Sequence, residues 1–559
     1  MPDEPFANEP ELTEPQPEES HSQVNAGVAK AGGIMVFSLL MSRVLGIFRD
    51  IIITYIFGIN AHMDAYRLAF MLPDVLFYLI SGGALSSAFI PVFTEYWHTG
   101  RQKEAWKVFS GVMCTISLIL LLFILACGVF ADPLYRYFLA RGLQDKSLIP
   151  EIVSMSRILL PAQFAFFIGG LMMGTLYVRR VFAIPGLAPN IYNIGIIFGA
   201  VVLSRFVSQP LQGMCWGAAG GAILGNLLIP FLQIRKLGME LHFKFFLEHE
   251  GVRKVFKLML PVILGLSLPA VFGMIMQGFA TYFPRGTNSI LDLSTKLMQA
   301  PLGIFGQSLA IAVFPVLTQF YAQGKMDMFK SQLDRTMRTV IYITVPVSVL
   351  MAVLAPQLSV GLYLSRKVPI EQTEQIAVCL QIFCIGIWAW CLHPVLMRAF
   401  YSIHDTKTPV IIGTVTTAVF VGLLMVLMKT PLSYKALPLA GSIAPMLMVM
   451  AMCAVVSKKL GGFDYVGVFR TLGKALVGSI SVALVCALLA WTPLLDYLMN
   501  HGPFAHQVWW HKVATLLMVL IGFCIAMWVY YFVTKAMKMP ESEYFDRMMK
   551  RLERKRAAG

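Results

Sequence analysis

Apolar runs of about 20 residues, separated by short polar turns, recur along this chain from Val28 to Val533. A helix of that length crosses the ~30 Å hydrocarbon core of a bilayer. The pattern predicts fourteen spans, at 28–58, 63–93, 107–131, 154–178, 184–204, 213–234, 256–281, 289–318, 336–356, 376–402, 409–428, 437–457, 470–491 and 511–533. Prolines inside them (Pro73, Pro161, Pro261, Pro346, Pro394) break the backbone ladder and allow kinks. Gly217, Gly221 and Gly225 recur at four-residue spacing and let helices approach closely.

Composition agrees. The chain of 559 residues is 57% hydrophobic and only 13% charged, with mean hydropathy +0.70. A soluble chain is nearer a quarter charged. The fold class is therefore an all-α polytopic membrane protein. Residues 1–25 differ: seven acids, five prolines and no Lys or Arg mark 1–26 as a disordered acidic tail. Fifteen Lys and Arg follow the even-numbered spans, against nine after the odd-numbered ones, and eight more follow Val533. The positive-inside rule puts both termini in the cytoplasm. The net charge of +15 is mostly this bias, so no nucleic-acid partner is implied. The basic tail, 535–559, reads as solvated. The nine cysteines form no CxxC pair and are expected to pack as small apolar groups; no metal site is predicted.

The chain also repeats itself. "SGGALSSAFIPVFTEYWHTGR" (81–101) aligns with "FGQSLAIAVFPVLTQFYAQGK" (305–325) at an offset of 224 residues. Gly82 meets Gly306, Pro91 meets Pro315 and Gly100 meets Gly324; the same offset pairs Tyr177 with Tyr401 and Pro185 with Pro409. Two six-helix lobes, 27–250 and 251–465, follow as a parallel repeat of the kind used in alternating-access transporters. Two further helices, over 466–534, complete the expected architecture.

Charges inside the spans are the candidate chemistry. Arg43 has apolar sequence for about ten residues on either side, where a charge costs several kcal/mol unless it faces a wet cavity or a partner. Arg43, Gly46 and Asp50 share a helical face, with Gly46 expected to open room beside Arg43. An Arg43–Asp50 ion pair is the structural alternative, and Arg49 needs a bend near Gly46 to join them. Span 2 adds Asp64, Arg67 and Asp74, and span 4 adds Arg157. In span 8, Asp292 and Lys296 are placed to neutralise each other. At the repeat offset Arg43 falls on Ser267 and Arg49 on Gly273. The scaffold repeats and the arginines do not, which favours a site over a fold requirement. Arginines in a cavity suit a phosphate or diphosphate; a cationic-drug pump wants unpaired acids there instead.

"SRVLGIFRD" (42–50), "MDAYRLAFMLPDVL" (63–76), "GGALSSAFIPVF" (82–93), "KLMLPVILGLS" (257–267), "KLMQAPLGIFGQSLAIAVFP" (296–315) and "RAFYSIHDTKTPV" (398–410) together resemble the MurJ (MviN) family, lipid II flippases of the MOP exporter superfamily. The resemblance implies a bacterial inner-membrane flippase for peptidoglycan and cell-wall biogenesis, and hence cell shape. It implies lipid II and membrane lipids as partners, a monomer beside the cell-wall synthesis machinery, no cofactor, and drive from membrane potential or a monovalent cation. Carried over by position, it puts the diphosphate on Arg43, Arg49 and Lys296, assigns Asp50 and Asp64 to orienting the arginines, and lays the lipid tail along spans 13 and 14. Phe77 and Tyr78 stand where the family pattern has one or two arginines, and Gly82 where it often has an acid; Arg67 is the expected compensating charge. The alternatives are a MOP-type exporter of another polyprenyl-diphosphate sugar or of drugs, and an intramembrane enzyme. The latter is disfavoured because His393 has no acid nearby in sequence and Asp405 reads as the cap of a turn.

Overall fold

The computed structural model describes residues 21–77, 84–179, 181–266, 268–462, 464–490 and 508–543. Its helices are α1 (His21–Phe57), α2 (Ala61–Ala69), α3 (Met71–Leu76), α4 (Ala84–His98), α5 (Gln102–Leu134), α6 (Ile149–Leu159), α7 (Ala162–Val178), α8 (Ala183–Val201), α9 (Pro210–Ala222), α10 (Ile229–Lys236), α11 (Glu250–Leu266), α12 (Leu268–Ala280), α13 (Thr287–Pro301), α14 (Gln307–Ala322), α15 (Met326–Val353), α16 (Ala355–Tyr363), α17 (Ile370–Cys384), α18 (Ile387–Ser402), α19 (Lys407–Leu427), α20 (Ala436–Lys459), α21 (Tyr465–Ala490) and α22 (Val508–Ala536). Extended pairing among the described residues is limited to one bridge, Ser365 to Val368. Ten described stretches are long and apolar enough to cross a membrane, eleven if the bent pair α17–α18 is one span. The expected spans 63–93 and 256–281 run through residues outside the described set, so the count of fourteen remains an expectation.

The repeat offset recurs in the helices. α5 starts at Gln102 and α15 at Met326; α8 starts at Ala183 and α19 at Lys407. α4 and α14 are each followed by a left-handed glycine, Gly100 (φ 78°) and Gly324 (φ 69°). The next amides, of Arg101 and Lys325, bond back five residues to Tyr96 and Phe320. Glycine is needed there because the left-handed turn crowds any Cβ.

The predicted close packing of small residues is present. Gly195 and Gly199 of α8 face Gly213, Gly217 and Gly221 of α9; a Cβ on Gly195, Gly199 or Gly217 would run into the partner backbone, and one on Gly221 would press against it at 3.1 Å. The kink predicted at Pro73 separates α2 from α3. Pro73 has no N–H to give the Ala69 carbonyl, and the buried Tyr135 hydroxyl donates to it instead at 3.1 Å. Pro346 and Pro394 sit inside α15 and α18, which continue through them.

Val252, Val255 and Met259 of α11 share a core with α4, α5 and α7, so the 250/251 boundary falls at the head of a helix whose first turns belong to the first half. α21 and α22 pack on the second half: Tyr530 of α22 donates to the Tyr342 carbonyl of α15 at 3.0 Å. Seven cysteines are buried as expected; Cys114 is half-buried and Cys524 is exposed. Asp405 accepts from the Thr408 amide (3.0 Å) and caps α19. Burial works against its ionisation, but Lys459 and Thr408 more than offset this and hold its carboxyl below the ordinary value.

Candidate functional site

α1 runs unbroken through Arg43, Gly46, Arg49 and Asp50. At 1.5 Å per residue, Arg43 lies about 9 Å before Arg49, and Arg49 about 10 Å before Ile56. Three successive levels along this helix organise the space between the halves.

At the first level Arg43 is exposed, and its guanidinium lies against Gly303. A Cβ at Gly303 would collide with it. Gly303 belongs to a π-helical turn, Leu302–Gly306, that follows Pro301. Among the described residues Arg43 forms no ion pair, so the Arg43–Asp50 alternative is not what the structure has. Gly46 faces Asn193 of α8 rather than making room for Arg43.

The second level is a cavity of about 230 Å³ between α1, α2, α3, α8, α12 and α13. Arg49 reaches it without a break in α1, because its side chain folds back onto Asp50 at 3.1 Å. Its other arm donates to Asn193 Oδ1 at 2.9 Å. Asn193 is itself held by the Ser42 carbonyl at 3.2 Å. Asp50 also meets Lys296 Nζ at 2.9 Å, Lys296 meets Asp292 at 2.8 Å, and Asp292 contacts Arg67. The result is an unbroken alternation, Arg49–Asp50–Lys296–Asp292–Arg67, that crosses from α1 to α13 and back to α2. Lys296 is 30% exposed while Asp50 is 5%, so of this pair the acid is the deeper and the ammonium the more open. The predicted Asp292–Lys296 pair exists, but both partners also reach outside α13. Arg67 lines the same cavity and is held by Asp292. Asp74, Tyr192 and Gln277 complete the polar wall; sequence alone had no means of bringing α8 and α12 to this place.

Asp64 is a correction. It orients no arginine by direct contact. Its oxygens accept from the Gly286 amide (2.6 Å), the Ser289 amide (2.8 Å) and the Ser289 hydroxyl (2.7 Å) at the start of α13. A carboxylate there meets otherwise unpaired N–H groups and the positive end of the helix dipole. This is the third level, a closure between the halves. Beside it, Lys367 donates to the Ile56 carbonyl (2.5 Å), Gln372 to the Ile59 carbonyl (3.1 Å), and Arg285 pairs with Asp145 (3.1 Å). Asp64 was legible as a buried acid, but its target lies 222 residues on.

Comparison with known proteins gives this geometry its place. The "Lipid II flippase MurJ" family model matches residues 53–502. A probable lipid II flippase MurJ of Bdellovibrio bacteriovorus is 25% identical over 77% of this chain and 82% of its own length. A lipid II flippase MurJ solved in an inward closed conformation superposes with TM-score 0.72 at 21% identity, over 89% of this chain and 98% of that one. An inward-facing multidrug resistance MATE transporter of the MOP superfamily shares the fold at TM-score 0.64 and 14% identity, over 75% of this chain and 94% of its own. With the family match running from the end of α1 past α21, through Asp64, Arg67 and Lys296, the chain belongs to the MurJ family of lipid II flippases.

Proposed function

We propose that the chain carries lipid II across the cytoplasmic membrane by alternating access. The observation that carries this is the alternating charge chain in the cavity between the halves. It presents three cations to a diphosphate while two carboxylates hold them ready. Arg43, unpaired among the described residues, meets the diphosphate first from the open side. Arg49, Lys296 and Arg67 take over as the phosphates replace Asp50 and Asp292. A guanidinium binds phosphate through two parallel N–H bonds, whereas Lys296 contributes a point charge. The acids then serve the return journey, because an empty cavity lined only by cations would resist closing.

With both termini cytoplasmic, as the Lys and Arg distribution supports, the Asp64 closure faces outward and Arg43 faces inward. Exchange of the two closures moves the headgroup across while the prenyl tail stays in lipid beside α21 and α22. No bond is made or broken. Membrane potential or a monovalent-cation gradient supplies the drive, and collapsing each separately in vesicles identifies which.

The test uses bacterial cells depleted of their own lipid II flippase and expressing this chain. Lipid II exposed on the outer face of the inner membrane is measured. The parent restores exposure, and Arg43→Ala with Arg49→Ala abolishes it. Failure of the folded, membrane-inserted parent assigns the cavity to another polyprenyl-linked diphosphate.

A further inference from the structure

Arg157 takes no part in the cavity between the halves, yet it sits in a membrane-spanning helix. It lies eight residues into α6, about 12 Å along its axis. It is exposed, and its Nε donates to the Gly128 carbonyl of α5 at 2.9 Å. A guanidinium has five N–H donors; among the described residues the other four have no acceptor. The nearby acid is committed, since both oxygens of Asp132 are held by Arg136 at 3.0 and 3.1 Å. A cation at this depth is costly without a counter-charge.

Arg157 stands in a groove. A cavity of about 620 Å³ lies along α6 and α9, within the ~300–1,000 Å³ range of small-ligand sites. Its long wall is Pro150, Val153, Ser154, Arg157 and Ile158 on one face of α6, continued by Pro161 at the head of α7, about 16 Å in all. That is close to the ~15 Å hydrocarbon depth of one leaflet. Trp216 and Ile223 form the opposite wall and are 54% and 45% exposed, so the groove opens sideways into the membrane. Its upper end is level with the closure, because Glu151 of α6 contacts His62 in the first turn of α2 at 2.8 Å. The Cβ of a helical residue leans toward the N-terminus, which directs the guanidinium toward that end.

We propose that this groove binds one anionic glycerophospholipid, its phosphate on Arg157 and an acyl chain between α6 and α9. Charge selects the headgroup. Asp132 also lines the groove, but Arg136 neutralises it through both oxygens, so Asp132, Arg136 and Arg157 together carry a net charge of +1 and a lipid of net charge −1 is matched. The ammonium of a zwitterionic lipid meets only Asp132, a carboxylate already paired with Arg136. Neither the substrate nor the lobe cavity enters this reading.

The purified full chain in detergent is titrated with phosphatidylglycerol or phosphatidylethanolamine, and bound lipid is counted by native mass spectrometry. The parent retains one phosphatidylglycerol about tenfold more tightly than phosphatidylethanolamine. Arg157→Gln loses that preference, and Arg141→Gln, which removes the same charge outside the groove, keeps it. Ile223→Trp narrows the groove with Arg157 intact and lowers retention as well, which keeps the test sound if Arg157→Gln does not fold. Equal retention of the two lipids by the parent, an unchanged preference in Arg157→Gln, or displacement by a polyprenyl diphosphate would each overturn the proposal.

Discussion

α2 and α13 occupy equivalent places in the two halves, 224 residues apart, and their N-termini are finished in different ways. α2 is capped locally: the Asn60 side chain accepts from the Met63 amide at 2.9 Å. α13 follows Gly286, in the left-handed region (φ 91°), and has no cap of its own. Its first amides are satisfied by Asp64, which projects from α2 in the other half. A self-capped helix keeps its end whatever its neighbours do. A helix capped from across the interface is fully satisfied only while the halves are closed. The orphan amides of α13 thus turn ordinary helix capping into a contact that must break for the closure to open.

The largest expected effect follows from removing the borrowed cap. Asp64→Ala leaves two amides and a hydroxyl without their acceptor and should weaken the closed arrangement by about 3–5 kcal/mol. Hydrogen exchange at Gly286 and Ser289 should accelerate by at least about a hundredfold, and lipid II exposure should fall. Unchanged exchange would show that α13 does not depend on the other half. Next is Asp292→Ala, which strands the buried Arg67 at a cost of about 3 kcal/mol. Replacing both residues together, Arg67→Leu with Asp292→Leu, should recover thermal stability but not lipid II exposure. Recovery of both would mean the pair is structural. Asn60→Ala should cost only about 1 kcal/mol and leave transport intact, read as a small drop in thermal midpoint. Ser289→Ala should come last, at about 0.5–1 kcal/mol, because the Ser289 amide still reaches Asp64. Transport lost in Asn60→Ala but kept in Asp64→Ala would invert the comparison.

Much of the site was legible in the chain. Arg49, Asp50, Lys296 and Arg67 were singled out by the cost of charge inside apolar runs, and they do meet in one cavity. Asp292 was read as the i, i+4 partner of Lys296, which it is, but its second bond to Arg67 reaches from α13 to α2. Asn193 carried no signal, since a lone amide in an apolar span looks like any buried polar residue. The bend expected at Gly46 is unnecessary because a long arginine side chain can fold back along its own helix.

The all-helical membrane class, the 224-residue repeat and the absence of counterparts to Arg43 and Arg49 in the second copy were already written in the sequence. These are local or periodic properties, set by hydropathy, helical spacing and the price of burying charge. Which acid holds which cation, and that Asp64 serves the far helix, became visible only once the helices were packed. The packing alone showed that Arg43 stands apart while Arg49 joins the chain of charges. Those outcomes depend on which helices are neighbours, and Asp64 and Gly286 come together only when the two halves pack.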